Sequence, residues 1–320
     1  MEKNTGKTEC LNYIIKRLEE KNKLFALTSI GLDGESVDQV TETPKPEISL
    51  PKGSIFTTSE IHFRQKKLTA EILNISERQT ALGRLITAKV KDKGNIIISG
   101  PSDTVWLKNL IEELKFFNPD IIIVDGAISR KSPGSPSVTD SIILTTGAAL
   151  SSNIRSIVKK TTFVHKLINL NVFDFPYIDD LLKTEKGLWA IDENQKIHDL
   201  QIKSSLLLEK SSDKLFKFGN IIFASGIITD KLLEIARIQK NISNTTIVVK
   251  DFTKIFVSPE KYSSYIAKGG KIKVLLKTKL ITVCVNPVSP EGFFLDSKKL
   301  CDELYQTLGI PIYDIKSIKL

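Results

Sequence analysis

The residues best placed to do chemistry stand at the start of the chain. Thr5-Gly6-Lys7-Thr8 reads as the second half of a phosphate-binding loop, G-x-x-x-x-G-K-[ST]. In such a loop the positive end of the following helix and its backbone N–H groups hold phosphate oxygens. Lys7 would place a point charge at the β- and γ-phosphates. The Thr8 hydroxyl would ligate Mg²⁺, a hard cation that takes oxygen ligands and keeps several waters. The first glycine of the pattern falls at Met1, and the buried strand that feeds such a loop is absent. The loop therefore reads as truncated at its N-terminus, with an apolar strand and a glycine expected upstream. If the coding region begins at Met1, the N-terminal sheet is expected to fray and ATP affinity to be weak or absent.

A metal-bound nucleotide also wants a carboxylate at the end of a neighbouring strand. Asp125 follows Ile121-Ile122-Ile123-Val124 and has that form. Its plainer reading is an Asp125-Gly126 turn. Asp33 and Glu35, in Gly31-Leu32-Asp33-Gly34-Glu35, are a second carboxylate source, again with a turn as the alternative. No Asn-Lys-x-Asp guanine signature occurs; Asn22-Lys23-Leu24-Phe25 lacks the acid. ATP is therefore favoured over GTP.

Other constellations carry less. His62, His165 and His198 are dispersed and lack metal-ligand spacing. Ser225 follows a strand but has Phe223 and Ile227 where a nucleophile elbow needs glycines. Cys10, Cys284 and Cys301 are widely spaced and odd in number, which suits a reducing compartment rather than a disulfide framework. Gly269-Gly270 reads as a helix C-cap, and 271–279 as a solvated lysine-rich edge.

Those residues need elements to position them. Apolar positions Leu11, Ile14, Ile15 and Leu18 predict a helix over 8–21 directly behind the loop. A buried strand over 24–30 follows, then a long loop over 32–60. Paired strands are expected at 61–69 and 82–90, a strand at 95–99, and a helix at 103–117 capped by Ser102 or Asp103. The run 121–124 reads as a parallel strand buried on both faces. After another strand at 141–145 the pattern loosens, with a small β-rich insertion near 187–210. Strands at 220–224, 246–249, 272–276, 281–285 and 311–315 then alternate with helices at 230–239, 259–267 and 297–308. This alternation predicts an α/β fold: a P-loop-type parallel sheet flanked by helices, with a second C-terminal α/β domain. The boundary is placed between a nucleotide-binding domain, 1–155, and a C-terminal domain, 156–320.

Composition bounds the function. The 320 residues are 41% hydrophobic and 26% charged, as in a globular chain. No apolar run approaches the ~20 residues that span a bilayer, and no signal-peptide core leads the chain. Membrane attachment is not expected, and the cytoplasm is the expected location. The net charge of +9 invites a nucleic-acid partner. However, the basic residues are 39 Lys and 7 Arg, scattered among glutamates without interleaved aromatics. A solvated lysine-rich surface fits better than a nucleic-acid face.

Several short motifs, in order along nearly the whole chain, resemble a known family. They are Asn4-Thr5-Gly6-Lys7-Thr8, Thr28-Ser29-Ile30-Gly31-Leu32-Asp33-Gly34-Glu35 and Pro44-Lys45-Pro46-Glu47-Ile48. Thr57-Thr58-Ser59-Glu60, Val124-Asp125-Gly126-Ala127-Ile128-Ser129-Arg130 and Thr145-Thr146-Gly147-Ala148-Ala149 continue the series. Asp251-Phe252-Thr253-Lys254-Ile255-Phe256 and Asn286-Pro287-Val288-Ser289-Pro290 complete it. With these the chain resembles the reactivase subunit associated with lysine 5,6-aminomutase, an adenosylcobalamin- and PLP-dependent enzyme of lysine fermentation. The resemblance implies an ATP- and Mg²⁺-dependent helper that releases damaged cobalamin from the mutase, beside a MutS-like ATPase subunit. Only Gly6, Lys7 and Thr8 carry over, as phosphate-loop residues. Open alternatives are a P-loop small-molecule kinase or ATP-dependent ligase, a nucleic-acid-associated ATPase, and a scaffold that has lost nucleotide binding.

Overall fold

The computed structural model describes residues 4–31, 48–126, 134–210 and 214–317. Helix α1 (Lys7–Glu20) leads into β1 (Phe25–Ser29), then β2 (Ile48–Leu50), β3 (Ile55–Ser59) and the short α2 (Glu60–Arg64). Two long strands, β4 (Lys67–Thr80) and β5 (Gly83–Ile96), precede α3 (Thr104–Lys115) and β6 (Ile121–Asp125). Next come β7 (Ser141–Gly147), α4 (Ile154–Ile168), α5 (Ile178–Lys183), β8 (Leu188–Ile191) and β9 (Ile197–Ile202). The chain continues through β10 (Ile221–Ala224), β11 (Ile228–Thr229), α6 (Asp230–Arg237), β12 (Thr246–Val249) and β13 (Ile255–Phe256). It ends with α7 (Pro259–Ala267), β14 (Lys271–Val274), β15 (Lys279–Asn286), α8 (Ser297–Leu308) and β16 (Ile312–Asp314).

These elements form a mixed α/β protein of two compact units. Unit 1 comprises Met1–Gly134, Ile142–Thr161 and Leu280–Leu320; unit 2 comprises Ser135–Ser141 and Thr162–Lys279. The sequence reading placed one boundary at 155/156. The chain instead leaves the first unit within α4 and returns to it for the last forty-odd residues.

In unit 1 the main sheet has the order β2-β5-β3-β1-β6, with β4 paired on β5. The central β1 is parallel to β3 and β6, whereas β5 runs antiparallel to β2, β3 and β4. Side chains alternate across this sheet. Phe25, Leu27 and Phe56 face α1, joining Leu11, Ile15 and Leu18 in one apolar cluster. Ala26 and Ile55 point the other way, against Leu110 and Leu114 of α3. A second sheet of unit 1, ordered β16-β15-β7, brings the last segment back to the first.

Unit 2 is built on the sheet β14-β12-β10-β8-β9, in which β10, β12 and β14 are parallel and β8 and β9 antiparallel. The predicted insertion is thus the antiparallel margin of this sheet, and the lysine-rich stretch supplies its other edge. At the end of α7, the Gly269 and Gly270 N–H groups donate to Ile266 and Tyr265 carbonyls, the expected C-cap.

Four local expectations need correction. The stretch 32–60 contains β2 and β3, whose signal was the β-branched run Ile55, Thr57, Thr58 beyond the Pro51–Gly53 turn. Residues 60–64 are helical rather than strand, started by Ser59 and tied by an Arg64–Glu60 ion pair of 2.6 Å at i,i+4. Asn95 and Ile96 finish β5, and 97–99 leave the strand. Strand β6 is not buried on both faces: among the described residues it pairs only with β1, and Ile121 is exposed.

Candidate nucleotide site

Helix α1 and strand β1 fix where the site lies. They are joined by the turn 21–24, in which the Lys23 N–H donates to the Leu18 carbonyl at 2.9 Å. The C-terminus of α1 therefore adjoins the start of β1, and the N-terminus of α1 lies toward the carboxyl edge of the parallel strands. That edge is where open α/β sheets bind ligands. Gly6 is the N-cap of α1, with φ 84°. Glycine is demanded there twice over, by the left-handed backbone and because a Cβ would approach Asn286 Cβ to 2.8 Å. Thr5 is buried beside it, its hydroxyl 3.1 Å from that of Thr145. Lys7 and Thr8 are half-buried at the helix start.

Three motifs that are far apart in sequence meet at this point. Thr145 holds Thr5, and the Thr146 hydroxyl lies 2.9 Å from that of Thr161. Gly147 lies so close to β15 that a Cβ would come within 1.9 Å of the Asn286 carbonyl oxygen. Asn286 in turn abuts Gly6, and its side chain accepts the Val288 N–H at 3.2 Å. The sequence gives no spacing rule that joins 4–8, 145–149 and 286–290; strand β15 does so by returning beside β7.

Asp125 ends β6 in register with Ser29, as Ile123 is with Leu27. Ile123 packs with the α1 cluster, so Asp125 and Ser29 project to the same α1 face. The Asp125 carbonyl accepts the Ser29 hydroxyl at 3.1 Å and the Ile30 N–H at 3.3 Å. Cys10 donates a hydrogen bond to Cys284 Sγ at 3.3 Å. That bond and burial hold the Cys10 thiol far above the ordinary thiol range, and the charges of Cys284 and Asp125 push it the same way. The same bond lowers Cys284.

A second polar cluster, not foreseen in the sequence, lies across β3. The segment 97–101 passes over the strand ends: Gly31 N–H donates to the Pro101 carbonyl at 2.7 Å, and Gly100 N–H to the Gly31 carbonyl at 3.2 Å. Ser99 Oγ accepts the Ser59 N–H at 2.8 Å and lies 3.1 Å from both Thr58 Oγ1 and His62 Nδ1. His62 is 5% exposed, and the buried Ser59 Oγ has no hydrogen-bond partner. The clue in the sequence was the density of hydroxyl residues in Thr57-Thr58-Ser59, next to a histidine one helical turn on.

The remaining predicted residues separate. Asp33 and Glu35 lie outside the described residues. His198 is bonded to Asp192 at 2.7 Å and stacks on Phe218, bracing the β8–β9 turn within unit 2. Ser225 donates to the Gly187 carbonyl at 3.1 Å, as a turn residue does. The Asp251 carboxylate accepts from Ser135, from the Thr253 N–H and from the Thr253 hydroxyl. The Asp251-to-Phe256 motif is thereby explained as a buried turn of unit 2.

Thr8 carries a hydroxyl and Asp125 a carboxylate, both hard oxygen donors. That suits Mg²⁺, which typically needs one or two carboxylates with waters and phosphates. Among the described residues no group of three His, Cys, Asp or Glu could hold a metal by itself. No described helix is long and apolar enough to cross a membrane. No protein-family model, curated protein or solved structure matches the chain.

Proposed function

We propose that unit 1 binds ATP with Mg²⁺ at Gly6-Lys7-Thr8 and that the protein is an ATP-dependent reactivating factor for an adenosylcobalamin-dependent aminomutase. The observation that carries the nucleotide reading is the place of Asp125, which ends β6 in register with Ser29 on the face that packs against α1. A phosphate-loop helix beside a strand-terminal aspartate is the arrangement that phosphoryl chemistry needs. The first-turn amides of α1 would take phosphate oxygens. The Lys7 ammonium would neutralise them, and Thr8 and Asp125 would orient the hydrated cation. Mg²⁺ would supply charge neutralisation across the phosphates.

The choice of a reactivating factor over a metabolic enzyme rests on the sequence resemblance. In this reading the nucleotide biases two conformations, one of which opens the mutase toward exchange of damaged cobalamin. A MutS-like ATPase subunit is the expected companion.

Two measurements test the proposal. Titration with a fluorescent ATP analogue and Mg²⁺ should give saturable binding. Lys7→Ala should weaken it about 10- to 150-fold, the equivalent of a charge-assisted bond of ~1.5–3 kcal/mol. Binding that is absent, or equal in the variant, refutes the nucleotide site. Inactivated aminomutase should regain turnover when given ATP, Mg²⁺, fresh adenosylcobalamin, this protein and its partner subunit. No recovery refutes the reactivation role.

A further inference from the structure

Cys10 and Cys284 are the two thiols of the chain that touch. Their sulfurs lie 3.3 Å apart although the residues are 274 positions apart in sequence. Cys10 stands in the first turn of α1, one turn after Gly6. Cys284 is on β15, two residues before Asn286, the residue against which Gly6 packs. Both thiols are almost fully buried, at 4% and 6% exposure, whereas Cys301 on α8 is partly exposed and has neither as a partner in hydrogen bonding. This buried thiol pair joins the first turn of α1 to β15.

We infer that Cys10 and Cys284 are the site of a reversible internal disulfide that clamps the first turn of α1 to β15. The oxidant is a peroxide, small enough to reach a buried pair through local opening. One sulfur attacks a peroxide oxygen; the O–O bond breaks, an S–O bond forms, and hydroxide leaves and takes up a proton. The second sulfur then attacks the first. The S–S bond forms, the S–O bond breaks, and water leaves with the remaining proton. Two thiols and one hydrogen peroxide give one disulfide and two waters, and a dithiol reductant reverses the change.

The geometry sets the consequence. A disulfide brings the sulfurs to about 2.05 Å, roughly 1.3 Å closer than they now lie. Binding groups need to be held within about 0.5 Å of their productive positions. In this proposal, closing the clamp fixes the start of α1 to β15 beside Asn286 and weakens phosphate binding. That last effect rests on the nucleotide-site reading; the cross-link itself does not.

The test uses the full chain, reduced or treated with hydrogen peroxide, then unfolded in denaturant and trapped with an alkylating reagent. Peptide mass mapping should show three alkylated cysteines before oxidation. Afterwards it should show a Cys10–Cys284 linked peptide with Cys301 still alkylated. Cys301→Ser should leave the linkage intact. Pairing through Cys301, or over-oxidised Cys10 and Cys284 without linkage, overturns the inference. With the linkage made, affinity for the fluorescent ATP analogue should fall at least tenfold and return with dithiothreitol. Unchanged affinity in the oxidised protein overturns the clamp. If the reduced protein binds no nucleotide, the nucleotide proposal fails. The clamp is then judged by the melting temperature, which must rise by several degrees on oxidation and fall back on reduction.

Discussion

Replacing Gly6 with alanine would test the architecture of the site without any ligand. Two separate costs meet at this residue. The left-handed conformation, φ 84°, costs an L-residue about 1–2 kcal/mol. The new Cβ would also stand 2.8 Å from Asn286 Cβ, closer than carbon atoms pack, and the neighbour is buried strand rather than a flexible tip. Overpacking of this kind costs about 1–3 kcal/mol. Gly53 is the internal control, with nearly the same φ, 89°, and nothing within 4 Å of its Cβ position. Gly53→Ala should therefore lose about 1–2 kcal/mol, and Gly6→Ala about 2–5 kcal/mol. Urea unfolding followed by tryptophan fluorescence measures both, and the separation between them reports the Asn286 contact. Equal losses, or a larger loss at Gly53, would refute the claim that α1 begins against β15.

Two further outcomes are expected. Ser99→Ala should cost roughly 2–4 kcal/mol by urea titration, because it strands the buried Ser59 N–H and removes a partner of His62 and Thr58; a loss under half a kcal/mol would show that the cluster is not cohesive. Asp103 accepts the Trp106 N–H at 2.8 Å at the start of α3, and that bond, with a lesser contribution from Arg78, holds its carboxyl below the usual range. A depressed folded-state pKa stabilises the protein above the unfolded value, ~3.9, and the benefit is lost as pH falls through the folded one. Asp103→Ala should thus cost about 1 kcal/mol at pH 7, and the gap to wild type should shrink in more acidic buffer, where a constant gap would refute the capping role.

Local signals in the sequence carried far in this chain. Helices α7 and α8 fall where Pro259 and the Ser258 and Asp296 caps place them, because capping and apolar spacing are decided within one or two turns. Asp125 was legible as a strand end for the same reason. What stayed hidden was non-local. Nothing in 279–286 says that it will lie beside 141–147 and beneath α1, since strand partners are chosen by tertiary packing rather than by spacing. Nor does the polarity of β6 reveal that, among the described residues, it pairs on one side only: four β-branched residues read as fully buried, whereas the structure leaves Ile121 exposed. The His62–Ser99 cluster was missed because its members are separated by 37 residues and joined only by the crossing of 97–101 over β3.

The return of the last segment to unit 1 also governs when the protein can fold. Cys10 and its neighbour Cys284 are 274 residues apart. A ribosome adding roughly 5–20 residues per second needs about 14–55 s between them. Throughout that interval Gly6 has no Asn286 to pack against, and the first sheet must persist without its companion. Unit 2, by contrast, emerges as an almost continuous stretch and can close before the C-terminal segment exists. The order of synthesis therefore makes the start of α1 the last part of the chain to be completed, and a polypeptide halted before residue 280 would hold a folded middle and an unfinished beginning.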